Sequence, residues 1–190
     1  VTQIALAELF RRVIDLVERE KVSYVVYGGL ALPAWGQVVP TKDVDLLLRV
    51  REEEVGRLIG VLRQDGFHVN SRAETLFFID TWFVASLGGR DADFALGTTP
   101  FDESAFARSV RIRMYERAVP IVSAEDLILY KLAAYRRKDL GHIEDIIIRQ
   151  GTKLDMAYLR DWARRIAEAT GKFEVSATLD TMLAEQGLGS

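Results

Sequence analysis

Two short runs, the first closed by a glycine pair and the second following after a thirteen-residue spacer from Leu30 to Lys42, constrain this chain more than anything else in its sequence. Ser23 to Tyr27 (SYVVY) is β-branched and aromatic and stops at Gly28-Gly29. Asp43 to Val50 (DVDLLLRV) sets an acid–apolar–acid step in front of three leucines. β-Branched and aromatic residues pack well on a pleated surface, so the first run predicts a buried strand. Consecutive Leu46, Leu47 and Leu48 predict that the second strand is internal, covered on both faces. Two internal strands demand a wider sheet and helices to cover it. Leu30 to Trp35 predicts a short helix entered straight from the glycines. Pro33 is tolerable in its first turn, where N–H groups lack intrahelical acceptors.

The rest of the chain supplies both kinds of element. Ile4, Leu6, Leu9, Phe10, Val13, Ile14 and Val17 recur at helical spacing, which predicts an amphipathic helix from Ile4 to Glu20. Arg51 to Gln64 predicts another, stopped by Gly66. Strands are predicted over 67–69, 91–96, 109–115 and 119–122, while 76–86 is ambiguous between helix and strand. At Ser123 the pattern changes. Ser123-Ala124-Glu125-Asp126 has a capping residue followed by acids, a helix start. Helical periodicity then covers 127–137, 143–150, 155–169 and 174–185. The expected fold class is α+β, with a mixed half over 1–122 and a helical half over 123–190. No Pro/Gly/Ser-rich linker separates the halves, so they are expected to pack as one unit.

Composition narrows the function. With 190 residues the chain buries enough surface to fold without a disulfide or a structural metal. It has no cysteine, which excludes a thiol nucleophile and a Cys-based zinc site, and which fits a reducing, cytoplasmic location. The net charge of −3 excludes a chain-wide basic surface for duplex DNA, though not a local basic strip. No apolar run approaches the roughly 18 residues of a spanning helix. The first residues, VTQIALAELFRR, show no signal-peptide pattern.

The acid–apolar–acid step carries the chemistry. Residues two apart share a strand face, so Asp43 and Asp45 are expected to point together, with Thr41 beside them. Paired carboxylates on an otherwise apolar strand suit Mg²⁺, a hard cation that prefers carboxylate and phosphate oxygens. Asp91-Ala92-Asp93 repeats the step later in the chain, and a third carboxylate would complete a site for two-metal phosphoryl or nucleotidyl transfer. Gly28-Gly29 lets the backbone approach a ligand closely, and the N–H groups of the following helix can hold phosphate oxygens. Phosphate donors next to metal ligands make the two halves of a triphosphate site.

Gly28-Gly29, Thr41, Asp43-Val44-Asp45 and Asp93 together resemble the signature of the DNA polymerase β-type nucleotidyltransferase superfamily. Val122-Ser-Ala-Glu-Asp-Leu-Ile-Leu-Tyr-Lys131-Leu, then Tyr135-Arg-Arg-Lys-Asp139 and Ile143-Glu-Asp-Ile146, resemble a narrower branch: small bacterial nucleotidyltransferases related to abortive-infection (type IV) toxin–antitoxin toxins. The resemblance covers about residues 20 to 165. It implies a nucleotidyltransferase fold with a C-terminal helical bundle, and transfer of an NMP from an NTP, such as ATP, to an acceptor hydroxyl. It implies two Mg²⁺ ions on Asp43, Asp45 and Asp93, and prefers Asp93 to Asp91 as the third acid. The NTP would lie against Gly28, Gly29, Thr41 and Lys131. The implied acceptor is RNA, tRNA or a protein, and an antitoxin is an implied partner. Gly29 departs from the pattern: many active members carry a phosphate-binding Ser there, although toxin-like branches often carry Gly-Gly.

Other readings stay open beside these. Thr41 could be a plain β-former and Lys131 a solvated helix residue. Arg136, Arg137 and Lys138 form either a solvated face or an acceptor-binding strip. Asp139 and Asp145 are expected to be caps or partners of that run. His68 and His142 share no motif and receive no role, and the three tryptophans are expected to pack. Two rival functions remain: a catalytically silent nucleotide- or protein-binding module on the same fold, and an aminoglycoside-type transferase acting on a small molecule.

Overall fold

The computed structural model describes residues 3–36, 38–69 and 81–189. The chain divides into two compact units, one of residues 1–30 and 40–121, the other of residues 31–39 and 122–190.

The first unit is built on α1 (Leu6–Arg19), β1 (Ser23–Val26) and the start of α2 (Gly28–Trp35). It continues with β2 (Val44–Arg49), α3 (Glu52–Gln64), β3 (His68–Val69), β4 (Trp82–Leu87) and β5 (Arg90–Leu96). It closes with α4 (Pro100–Ala107), β6 (Val110–Met114) and β7 (Arg117–Ile121). The strands form one mixed sheet in the order β3-β4-β5-β2-β1-β7-β6. β1 runs antiparallel to β2 and parallel to β7, while β2 and β5 are parallel. The two runs that the sequence marks as internal thus lie side by side in the middle of the sheet. On β2, Val44, Leu46 and Leu48 are fully buried, as is the stripe Leu9, Phe10, Val13, Ile14 and Val17 of α1.

Three elements differ from the sequence reading. α2 begins at Gly28 rather than Leu30, so Pro33 falls beyond the first turn, inside the helix. It cannot donate to the carbonyl four residues back, and α2 ends within three residues of it. α4 was not expected; its eight residues show little periodicity, and its signal is local. Thr99 caps it by accepting from the Asp102 N–H at 3.1 Å, and the Asp102 carboxylate accepts from the Thr99 N–H at 2.8 Å. Of the ambiguous stretch, Trp82 to Ser86 is strand, and residues 76–80 lie outside the described residues.

The second unit is helical: α5 (Ala124–Ala134), α6 (Arg137–Gln150), a 3₁₀ turn (Gly151–Lys153), α7 (Met156–Thr170) and α8 (Glu174–Glu185). Ser123 caps α5 as its sequence predicts, accepting from the Asp126 N–H at 3.1 Å. α6 starts six residues before the periodic run at Ile143, because α5 stops at Tyr135 in the left-handed conformation and the chain re-enters helix at once. The later turns of α2 belong here. The Trp35 indole donates to the Val122 carbonyl at 2.9 Å, and Gln150 donates to the Trp35 carbonyl at 2.8 Å. Leu127, Ile128, Ile143, Ile147, Leu159 and Leu183 fill the core between these helices. Among the described residues no helix is long and apolar enough to cross a membrane.

Candidate active site

The site forms where β1 ends and β2 begins. The Tyr27 N–H donates to the Asp45 carbonyl at 3.1 Å, which ties the end of β1 to the start of β2. Gly28 then turns with φ +65°, a left-handed conformation that L side chains rarely adopt. The turn brings the Gly29 N–H, in the first turn of α2, to 3.2 Å from Asp45 Oδ2. The approach is close. A Cβ on Gly28 would lie 2.2 Å from Asp45 Oδ2, and one on Gly29 would lie 2.7 Å from Thr41 Oγ1. Gly28 is therefore required by its backbone conformation and by Asp45, while a side chain at 29 would have to displace Thr41.

The parallel pairing of β2 and β5 places Asp45 directly beside Asp93. Asp43 lies in the bend just before β2, and Thr41 Oγ1 donates to the Asp43 carbonyl at 3.3 Å. Thr41 is outside any strand, so its type is not explained by β-propensity. Asp91 is exposed and accepts from Ser86 Oγ at 2.5 Å. Partial burial, then the charges of Asp45, Asp43 and Asp91, push the Asp93 carboxyl up to about 6. Four acids thus share one end of the sheet, and the charges of the other three add to burial in raising Asp93.

That repulsion has a consequence for the metal-free protein. Asp93 has a folded-state pKa above its unfolded value, so between about pH 4 and 6 the native state holds more protons than the unfolded chain. Stability is expected to fall as pH rises through that window. The fall should be about 1 kcal/mol after the screening of a half-exposed group is allowed for. An Asp93→Asn variant should lose that slope, which denaturant melts at pH 4.5 and 7 would measure. An unchanged slope would mean that Asp93 is not the group under strain.

Among the described residues no three His, Asp or Glu side chains already stand as a formed metal site. The donor set nevertheless fits a hard divalent cation. Asp45 and Asp93 offer only carboxylate oxygens, and their repulsion is what a cation would relieve.

Lys131 belongs to the other unit, on α5, and is not a solvated residue. The residue is 5% exposed, and its Nζ donates to Asp139 Oδ1 at 3.1 Å. Asp139 is fully buried and also accepts from Arg136 Nε at 2.6 Å. Burial would raise the Asp139 carboxyl, but Arg136 and Lys131 outweigh it and hold it below the usual range. His142 Nδ1 lies 3.3 Å from Lys131 Nζ, and burial, then the Lys131 charge, lower its pKa. Sequence reasoning gave His142 no place in this group. The available signal was the spacing Arg136, Asp139, His142, which puts all three on one side of the start of α6. Asp139 partners the basic run as expected, and Arg137 and Lys138 are exposed.

No protein-family model and no curated protein sequence matches this chain. Solved structures do. The chain is similar to the antibiotic-resistance factor ANT(2'')-Ia at 14% identity and TM-score 0.62, over 88% of this chain and 96% of that one. It is similar to the lincosamide antibiotic adenylyltransferase LnuA, solved with lincomycin bound, at 15% identity and TM-score 0.54, over 76% and 98%. It is also similar to an antigenic nucleotidyltransferase-like protein from Paracoccidioides brasiliensis at 16% identity and TM-score 0.56, over 92% and 91%. The fold is therefore the mixed α+β nucleotidyltransferase fold.

Proposed function

We propose that this protein is a Mg²⁺-dependent nucleotidyltransferase. The observation that carries the reading is the pairing of Asp45 with Asp93 across β2 and β5, with the Gly29 N–H on the Asp45 carboxylate. Two acids and the glycine turn thus meet in one corner of the fold, which supports that reading. Asp43, Asp45 and Asp93 would hold the cations, which supply charge neutralisation on the phosphates when bound. The turn at Gly28-Gly29, with Thr41, orients the triphosphate. Asp93 accepts the proton of the acceptor hydroxyl as its oxygen bonds to the α-phosphorus. The bond to the bridging oxygen breaks, and pyrophosphate leaves. Positioning and electrostatics supply most of the rate. Lys131 is assigned to the triphosphate by resemblance alone.

A small hydroxyl-bearing acceptor is the better of the acceptor readings. Another structure of ANT(2'')-Ia, similar at TM-score 0.61 and 15% identity, is a complex with adenylyl-2''-tobramycin, a nucleotidylated small molecule. The basic run that would serve RNA is partly spent, since Arg136 is held by Asp139. RNA, tRNA or protein acceptors and an antitoxin partner form the narrower reading. The test is incubation with each α-labelled NTP, Mg²⁺, and in turn an aminoglycoside, a lincosamide, tRNA and a protein extract. Label is expected on a small molecule. Label on tRNA or protein would reverse the acceptor, and co-purification with a co-encoded partner would then favour the toxin reading. Melting gives a separate check. Mg²⁺ plus NTP should stabilise the fold by about 2.7 kcal/mol at ~100 times Kd, far beyond either alone. No label anywhere would leave the catalytically silent module, nucleotide-binding if the joint stabilisation persists and protein-binding if it does not.

A further inference from the structure

The sheet holds two of the three candidate acids, and the third lies outside it. Asp45 and Asp93 stand opposite one another in the β2–β5 ladder. Asp43 precedes β2 in a bend, and residues 38–42 before it belong to no helix or strand. A carboxylate carried by irregular chain takes its place from whatever ties that chain down. Arg90 supplies such a tie. It opens β5, the strand that carries Asp93. Its Nη1 donates to the Lys42 carbonyl at 3.3 Å, on the peptide unit that leads into Asp43. Its Nε donates to the Ile4 carbonyl at 2.6 Å. Ile4 is seated on the turn just before Arg90. The Ile4 N–H donates to the Gly88 carbonyl at 3.0 Å, and Gln3 Nε2 donates to the Gly89 carbonyl at 2.8 Å. The Ile4 side chain lies so close to this turn that a Cβ on Gly88 would fall 2.4 Å from its Cγ2. One end of the guanidinium is thus anchored, and the other reaches the chain at Lys42. A planar fork with donors in fixed directions can join two carbonyls in this way, whereas an ammonium is a point charge on a flexible stem.

We propose that Arg90 is a positioning residue for the cation site: it fixes the backbone entering Asp43, and with it the distance of that carboxylate from the Asp45–Asp93 pair. β5 then serves the site twice, through Asp93 as a ligand and through Arg90 as a strut. The proposal rests on the nucleotidyltransferase reading, which makes these three acids the cation ligands, and adds the group that sets their spacing. Positioning and simple electrostatics predict opposite signs here. A cation near a cation site repels the ion, so by charge alone the loss of Arg90 would tighten metal binding. By positioning, the loss weakens it.

The experiment titrates Mn²⁺, as a spin probe for the Mg²⁺ site, into nucleotide-free protein and follows free Mn²⁺ by electron paramagnetic resonance. The Mg²⁺ dependence of transfer at saturating NTP and the melting temperature are measured beside it. The proteins are wild type, Arg90→Gln, Arg90→Lys, Asp43→Asn, Arg90→Gln/Asp43→Asn and Gln3→Ala. Arg90→Gln should weaken Mn²⁺ binding about 10- to 100-fold, the scale for losing a group that orients a metal ligand. It should raise the Mg²⁺ needed for half-maximal transfer by a similar factor. Arg90→Lys keeps the charge and loses the fork, so it should weaken Mn²⁺ binding too, and it decides the matter if Arg90→Gln does not fold. With Asp43 already neutralised, losing Arg90 should add little, because Asp43 is the group through which it acts. Gln3→Ala loosens the same segment without touching Lys42, and should leave Mn²⁺ affinity at the wild-type value even if it melts earlier. Unchanged or tighter Mn²⁺ binding in Arg90→Gln would overturn the proposal, as would an equal loss in the Asp43→Asn background or in Gln3→Ala. Each of these leaves the nucleotidyltransferase reading intact so long as wild type transfers an NMP. A wild type that binds no Mn²⁺ and transfers no NMP would overturn both.

Discussion

An Asp45→Asn variant is expected to fold normally and to lose at least about 100-fold in nucleotidyl transfer, the scale for removing one preorganised charged group. Asn keeps an oxygen for the Gly29 N–H, so the turn at α2 survives. It removes a negative charge next to Asp93, and like charges oppose folding without a cation. Stability of the metal-free protein should therefore be unchanged or raised. The charge of Asp45 is, after burial, the largest cause of the raised Asp93 pKa, so that pKa should move down in the variant. Carboxyl titration by NMR would follow it directly, and Asp43→Ala should act in the same direction. A melting temperature well below wild type, with transfer intact, would make Asp45 a structural acid and sink the site.

Gly28→Ala is expected to damage both stability and activity. Two effects add. The residue sits at φ +65°, where a side chain costs about 1–2 kcal/mol. Its Cβ would also fall 2.2 Å from Asp45 Oδ2, 2.6 Å from Cγ and 2.9 Å from Cβ. No rotation of the carboxylate relieves contacts that reach back to the Asp45 Cβ. β2 cannot retreat either, since Val44, Leu46 and Leu48 are fully buried on its other face. Overpacking of this kind adds about 1–3 kcal/mol. The displaced Asp45 carboxylate would leave both the Gly29 N–H and Asp93, so transfer should fall to background. The double variant Gly28→Ala/Asp45→Ala separates the two effects. Truncating Asp45 should return most of the overpacking loss and none of the backbone strain, a coupling of about 1–3 kcal/mol. Denaturant melts of the four proteins give that number. A coupling near zero would mean that Gly28 does not pack on Asp45.

The local sequence determined every feature that a few neighbouring residues can specify. SYVVY before Gly28-Gly29 defines a strand that must turn sharply. The leucines after Asp45 define a strand that must be internal. Ser123 with Asp126 defines a helix start, and the acid–apolar–acid step defines a pair of hard oxygen donors. Even the helix that was missed, α4, had its start written in Thr99 and Asp102, although eight residues are too few to show a period. Other facts depended on pairing across long separations. Asp93 meets Asp45 because β5 inserts beside β2 in a parallel register, and no property of residues 90–96 dictates that neighbour. Thr41 looked like a strand residue and proved to be the side chain that fills the space over Gly29, a relation visible only when the chain returns on itself. Lys131 reads as a triphosphate contact by resemblance and as a solvated lysine by type. It is buried because Asp139 and His142 come back against it from the next helix and satisfy its charge. Composition and periodicity act over a turn or a strand, so they specify elements and donor chemistry. Register, burial of charge and exclusion of one side chain by another arise only when distant segments pack, and those decided the geometry of the site.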